Sequence, residues 1–388
     1  MSVVLIVPSW GGTQLGRKPG GDDPVWVSYP ELAMANVRQL RLGPDGVSPG
    51  PPDGVALFPG EPLQAYYQTA VVALTAQLKP LGFVVKTHGY DWRLDARTTG
   101  RELADRIRAN ASPEEPATVV AHSWGGIVAR LAWRELVLTG EQALLRRLIC
   151  LGTPHWGSYA PIEALSLTGQ WSRQIQAISL GGQLLNVRTP ADRLTFFPTA
   201  AQIATLASSF PSVYQLFPSL VAPNAASDPY RSALFGDTWP TDRGLDLGRI
   251  AETAMVFHPL LTRAETVPPP WVLTSAAAQG LPTTSRLLFP SLLGAANALG
   301  QSDSGDGTVT TDSAWLAGSA LKAVTAAHAD MANVLALGGQ LADWILDPRG
   351  PPSPAPPLQT VGGNLTVVLQ GPPLPSGLPS KPFVSSDC

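Results

Sequence analysis

Cysteine is nearly absent from this chain of 388 residues: Cys150 lies inside an apolar run and Cys388 is the last residue. A disulfide framework is therefore excluded as the source of stability, and folding needs no oxidising compartment. Charge is scarce as well, at 14% Asp, Glu, Lys and Arg with a formal net charge of -3, and it forms no basic stripe. Neither nucleic acid nor an anionic membrane surface finds an electrostatic partner here, so any lipid contact has to be apolar. A membrane span is excluded too. Residues 194–227 carry no charge, but Pro198, Pro211, Pro218 and Pro223 interrupt them among many Ser, Thr and Gln, which reads as an apolar cap of broken helices. The start of the chain lacks a basic n-region and runs straight into Pro8-Ser9-Trp10-Gly11-Gly12, so it reads as a first strand and the expected location is cytoplasmic. No His-Glu-x-x-His metal motif and no Gly-rich phosphate loop occurs, and the expectation is a protein with no metal and no cofactor.

What is present is enough to build a large core, with 44% hydrophobic residues. Apolar runs at residues 3–7, 83–86, 118–121, 148–151 and 271–274 are short and do not alternate, as strands buried on both faces require. Helical patterns at 65–78, 100–109, 126–138 and 330–346 separate them, so the expected fold is α/β with a mostly parallel central sheet. The alternation stops after Gly157. Residues 158–267 show helix-like pieces broken by proline and glycine, which predicts a helical cap inserted between two parts of the core, 1–157 and 268–348. From 349 to 388 the chain is a Pro-rich tail with one strand-like stretch at 365–369.

Three motifs carry chemistry. Val119-Val120-Ala121-His122-Ser123-Trp124-Gly125-Gly126 takes an apolar strand through a small-residue turn into a helix, which is the pattern of a nucleophile elbow with Ser123 at its tip. Ala121 stands where a glycine is common and Gly125 supplies the other. Serine needs a base to take its proton and a carboxylate to orient that base. Of the five histidines, His122 neighbours the serine on a strand and points to the other face, His88 ends an earlier strand, His155 follows Thr153-Pro154, and His258 sits in the insertion. Only His328 comes late, before the final helix, where Asp330 is placed to cap that helix. For the acid, Asp303, Asp306 and Asp312 compete; Asp306, between Gly305 and Gly307, suits a tight loop after the strand at 271–274. Ser123, Asp306 and His328 then follow the chain order of the α/β-hydrolases. The backbone N–H groups of Trp124 and Trp10 are the expected oxyanion donors, one after the nucleophile and one in the loop leaving the first strand.

Five separated segments resemble the lecithin:cholesterol acyltransferase family, over roughly residues 3–346. They are Val7-Pro8-Ser9-Trp10-Gly11-Gly12-Thr13-Gln14-Leu15, with Ser9 where glycine is usual; Gly89-Tyr90-Asp91-Trp92-Arg93; the serine elbow; Leu151-Gly152-Thr153-Pro154-His155-Trp156-Gly157; and Gln279-Gly280-Leu281-Pro282-Thr283 followed by Gly305-Asp306-Gly307-Thr308-Val309. The resemblance implies an α/β-hydrolase fold and transfer or hydrolysis of an acyl group from an ester, often a glycerolipid, through an acyl-serine. It implies the same triad and the same oxyanion residues, Trp10 and Trp124. Trp92, Tyr214 and Phe217 are candidates to line an acyl pocket, and plain packing against the sheet is the competing reading. Asp91 and Arg93 are expected to form a structural pair. Two alternatives stay open: hydrolysis of a small or polymeric non-lipid ester or lactone, and a catalytically silent binding module on the same fold.

Overall fold

A computed structural model of the chain describes residues 1–26, 36–166, 205–222, 246–288 and 299–348. Contacts divide the chain into residues 1–350 and 351–388. The tail read from residue 349 onward, with its strand-like stretch at 365–369, lies outside the described residues, as do residues 167–204 and 223–245 of the expected insertion.

In chain order the strands are β1 (Ser2–Val7), β2 (Thr13–Gly16), β3 (Pro24–Trp26), β4 (Phe58–Pro62), β5 (Phe83–Thr87), β6 (Ala117–His122), β7 (Leu145–Leu151), β8 (Leu273–Ala278), β9 (Leu281–Leu288), β10 (Leu299–Gly305) and β11 (Ala320–Val324). Six of them form one sheet in the order β11-β8-β7-β6-β1-β5, and every pair in it is parallel. The apolar runs explain the centre. β6 is buried at all six positions, Val7 pairs with Ala121, and Ala121 pairs with Cys150. A strand covered on both faces has no polar face to alternate with.

The α-helices of five or more residues among the described residues are α1 (Gln64–Leu78), α2 (Ala96–Arg108), α3 (Trp124–Leu138), α4 (Ala160–Ser166), α5 (Pro211–Gln215), α6 (Leu247–Glu252), α7 (Met331–Leu337) and α8 (Gln340–Leu346). Val4, Ile6, Val120, Ile149 and Leu151 pack under Tyr67 and Leu74 of α1, Leu335 of α7 and Ile345 of α8. Val3, Leu5, Val7, Val119 and Ala121 face Leu103 and Ile107 of α2 and Ile127 and Leu131 of α3. Layers on both faces of a parallel sheet leave its C-terminal edge as the place where loops converge. Between β7 and β8 the described residues hold helices and turns and no strand. Among the described residues no helix is long and apolar enough to cross a membrane.

The structure departs from the sequence reading in several places. α2 begins at Ala96, four residues before the expected start, because the Asp95 side chain accepts the Arg97 N–H at 2.7 Å and caps it. The expected helix over 330–346 is two, divided at Gly338 and at Gly339, which has a φ of 76°. Asp330 occupies the N-cap position of α7, but its side chain makes no capping hydrogen bond. The strand expected at 271–274 runs instead from Leu273 to Ala278. β11 was not expected; it is an edge strand whose alternating exposure, Lys322 included, hides it among surface residues. The antiparallel β9–β10 pair was also missed, and it is β10 that leads into Asp306.

Gly100 of α2 meets α3 so closely that a Cβ there would lie 2.7 Å from the Leu131 Cβ and 3.2 Å from the Val128 carbonyl oxygen. Gly100→Leu is expected to lower stability by about 1–3 kcal/mol through overpacking. The midpoint of urea unfolding measures it, and an unchanged midpoint would mean that the two helices separate without cost.

Candidate active site

Ser123 is the residue between β6 and α3, and its backbone is strained: φ is 55° and ψ is -125°, a region that residues with a side chain seldom occupy. Its N–H donates to the Leu151 carbonyl at 2.8 Å, so the end of β7 pins the turn. The two glycines that follow have specific reasons. A Cβ on Gly125 would lie 2.4 Å from the Pro8 carbonyl oxygen, and one on Gly126 would lie 2.0 Å from the Thr153 Oγ1. The first turn of α3 is thereby packed directly against the end of β1 and the loop after β7.

His328 lies four residues beyond β11, half-buried, with its Nε2 2.8 Å from the Ser123 Oγ. Its Nδ1 lies 2.6 Å from Asp306 Oδ2. The other oxygen, Oδ1, accepts the N–H groups of Thr308 at 2.9 Å and Val309 at 2.7 Å. Asp306 is therefore held by its own loop while one oxygen stays free for the imidazole. Burial by itself would raise the carboxyl pKa, but His328 and the two backbone donors outweigh it and hold the group below the usual carboxylate value. The His328 N–H donates to the Asp306 carbonyl at 3.0 Å, a second tie between the two loops. Gly152, with a φ of 54°, leaves room for the pair: a Cβ there would lie 2.9 Å from Asp306 Oδ2 and 3.3 Å from His328 Nδ1. Sequence reasoning did not single out Gly152, although its place after an apolar strand was a signal. Asp303 and Asp312, the competing acids, are exposed and contact no histidine among the described residues.

The loop after β1 is fixed along its length. The Tyr90 hydroxyl donates to the Pro8 carbonyl at 2.8 Å, the Trp26 indole donates to the Gly11 carbonyl at 2.7 Å, and the Leu63 N–H donates to the Gly12 carbonyl at 2.8 Å. The Trp10 indole donates to Ser212 Oγ at 3.0 Å. The backbone N–H of Trp10 is left with no acceptor among the described residues, and Trp124, at the first position of α3, likewise has its N–H outside the helical ladder.

Trp92 is buried and donates its indole N–H to the Thr13 carbonyl at 3.1 Å. Tyr214 and Phe217 are buried against each other with ring centroids 5.5 Å apart, and the Tyr214 hydroxyl donates to the Ser208 carbonyl at 2.7 Å. Trp10, only partly buried, packs edge-on against Trp92 at 4.5 Å and beside Phe210 at 6.4 Å. Asp91 and Arg93 form a buried pair, with the Arg93 Nε 2.9 Å from Asp91 Oδ1 and its Nη1 donating to the Leu40 carbonyl at 2.7 Å. Among the described residues no group of three or more His, Cys, Asp and Glu is arranged to hold a metal.

The remaining histidines are buried or nearly so. His155 accepts from Arg130 Nη1 at 3.3 Å, and its Nε2 lies 3.4 Å from the Ser275 hydroxyl. His258 sits by the Gln215 carbonyl. His88 stacks on Tyr90. His122 bridges two elements: Nδ1 lies 2.8 Å from the Tyr67 hydroxyl and Nε2 2.8 Å from the His328 carbonyl oxygen. The sequence places His122 only on the face away from Ser123; its partners lie 55 and 206 residues off, where no local pattern points.

No protein-family model matches the sequence, and no curated protein matches it. Solved structures do. A chain from the crystal structure of a Tle4–Tli4 complex aligns with a TM-score of 0.50 at 13% identity, over 89% of this chain and 99% of that one. This is an α/β-hydrolase fold. Mature Bacillus licheniformis lipase BlEst2 aligns at 0.41 and 13% identity over 89% of this chain and 90% of that one. The Vlm2 thioesterase domain aligns at 0.31 and 15% identity, over 88% and 93%.

Burial drives the His122 pKa down to about 3, with the neighbouring His328 adding to the shift, and burial drives His88 down to about 4. Both are neutral in the folded protein at pH 5, whereas in the unfolded chain they begin to protonate near pH 6.5. The unfolded state then binds more protons, so their contribution falls with pH across this window, by about 2 kcal/mol for each histidine at pH 5. Urea unfolding at pH 7.5 and pH 5 is expected to show the loss, and His88→Gln should reduce it by about 2 kcal/mol. Equal losses in both proteins would mean that His88 titrates alike in the folded and unfolded states.

Proposed function

We propose that this chain is a serine-dependent enzyme that cleaves or transfers the acyl group of a lipid-like ester through an acyl-serine intermediate. The observation that carries the reading is the continuous hydrogen-bonded series Ser123, His328, Asp306, assembled from the ends of β6, β11 and β10. A neutral imidazole that donates Nδ1–H to a carboxylate presents its Nε2 lone pair to the serine, which is the tautomer a general base needs. Ser123 Oγ attacks the ester carbonyl while His328 takes its proton. The carbonyl electrons move onto oxygen, and the N–H groups of Trp10 and Trp124 are assigned to that oxyanion. Collapse expels the alcohol, which receives the proton from His328 and leaves the acyl group on Ser123. Water or a second alcohol, deprotonated by the same imidazole, releases the acid or a new ester.

The lipid-like part of the reading is supported by the resemblance to the lecithin:cholesterol acyltransferase family and by the ring cluster around Trp10. Trp92 and Phe210 back the partly buried Trp10 and make an apolar wall on the loop assigned to the oxyanion. Tyr214 and Phe217 are assigned to the layer behind that wall. The described residues 158–166, 205–222 and 246–267 are assigned to a cap over the sheet edge, and contact with lipid is assigned to apolar surface because the sequence offers no basic stripe.

Ser123→Ala and His328→Ala are expected to lower kcat by at least about 10⁴-fold without unfolding the protein, and Asp306→Asn by about 10⁴-fold. The measurement is mass spectrometry of products from phospholipids, acylglycerols and short-chain esters with an alcohol acceptor present. Free acid against new ester separates hydrolysis from transfer. Turnover that persists in Ser123→Ala overturns the acyl-serine reading, and full activity in Asp306→Asn moves the acid elsewhere.

A further inference from the structure

The chemistry above leaves unused a buried polar chain that runs beside it. His328 contributes a backbone carbonyl oxygen to His122, and a carbonyl can only accept, so His122 Nε2 carries the proton and donates across 2.8 Å. The ring is neutral, and its Nδ1 is then an acceptor for the Tyr67 hydroxyl at 2.8 Å. That uses the single proton of Tyr67. The Tyr67 oxygen accepts the Ser9 backbone N–H at 2.8 Å and, since it has no second proton to give, also takes the hydroxyl proton of Ser9, 2.9 Å away. Burial pushes the Tyr67 phenol up to about 12, which keeps that proton in place at every working pH. Proton inventory therefore gives the whole chain one direction: Ser9 to Tyr67 to His122 to the His328 carbonyl.

Each end of this series touches one half of the proposed machinery. Ser9 is adjacent to Trp10, whose N–H is assigned to the oxyanion, and His328 is the assigned base. His122 itself is bonded through the chain to Ser123, and its ring lies 5.0 Å from the His328 ring. Tyr67 and His122 are both buried, so the bond between them is shielded from water, and leaving it unmade strands a polar group in the core. We propose that Tyr67 and His122 are positioning residues that lock the oxyanion loop and the base loop to the nucleophile in a single register. Neither touches substrate. The inference rests on the acyl-serine reading of Ser123, His328 and Asp306.

The test is a double-mutant cycle with p-nitrophenyl octanoate, read as kcat and KM, with Ser123→Ala as the control. Tyr67→Phe keeps the ring and removes only the hydroxyl; His122→Gln keeps an N–H for the His328 carbonyl and removes the ring Nδ1 that accepts from Tyr67. Each single change is expected to lower kcat about 10- to 100-fold with KM within about twofold, since a misplacement of the order of an ångström costs rate and not ground-state binding. The double variant is expected to match the worse single. A Tyr67→Phe enzyme with unchanged kcat, or losses that multiply in the double variant, overturns the coupled register while leaving Ser123 chemistry intact. Turnover in Ser123→Ala would instead remove the underlying reading, so the two failures are distinguishable. Should Tyr67→Phe fail to fold, Ser9→Ala takes its place in the cycle: a loss of kcat that does not add to that of His122→Gln supports the proposal, and an unchanged kcat overturns it.

Discussion

The strained backbone at Ser123 is the constraint on which the rest of the structure depends. A residue with a side chain held at φ 55° and ψ -125° costs of the order of 1–3 kcal/mol and persists only where its surroundings leave no alternative. Those surroundings are three parallel strands ending together. β6 delivers the chain, β7 accepts the Ser123 N–H through Leu151, and β1 brings its Pro8 carbonyl against Gly125 so closely that no side chain fits. The same crowding explains why Ser123 sits at the tip of the turn, its hydroxyl 2.8 Å from His328 Nε2, and why the following helix begins where it does. A parallel sheet buried on both faces supplies the rigidity, because register cannot slip without turning apolar side chains out of both layers.

Electrostatically the site is built with few charges and many neutral donors. Asp306 is the carboxylate bonded to the imidazole of His328 among the described residues, and its second oxygen is already occupied by backbone N–H groups, so its charge is fixed in place. The neighbouring His122 is held neutral by burial and by its own hydrogen bonds. The two imidazole rings lie 5.0 Å apart, so the neutrality of His122 keeps a second buried charge away from the His328–Asp306 pair. Further off, burial lowers the Arg130 pKa to about 10; its guanidinium bonds the carbonyls of Leu261 and Thr266 and the ring of His155, which ties the return leg of the β7–β8 connection to α3. Cys150, pushed up to about 12 by burial, is a thiol and part of the core.

The parts of this arrangement legible in the sequence are those governed by local rules. Val119 to Gly126 reads as strand, tight turn and helix because steric crowding at such a turn demands small residues, and Asp306 and His328 are reachable by chain order. The central strands are legible because double burial leaves no polar alternation. What was not legible depends on distance. Lys322 and its neighbours form an edge strand that looks like surface, and β9, which contains Pro282, is a strand only through its pairing with β10. Aromatic residues such as Trp92, Tyr214 and Phe217 have the same composition whether they line a pocket or fill a core, and only their hydrogen bonds to Thr13 and Ser208 and their burial tell where they sit. Tyr67 and His122 become a pair only when α1 is laid on the sheet.

The separation of Ser123 from His328 along the chain has a consequence for the protein during its synthesis. The elbow is fixed by contacts that close among β1, β6 and β7, all complete by residue 151. The imidazole arrives 205 residues after the serine, behind β11 at the far edge of the sheet. Domains fold as units and long-range pairings close late. A nascent chain therefore forms the strained elbow around Ser123 first, and the Ser123–His328 hydrogen bond closes only once β11 has docked on the sheet.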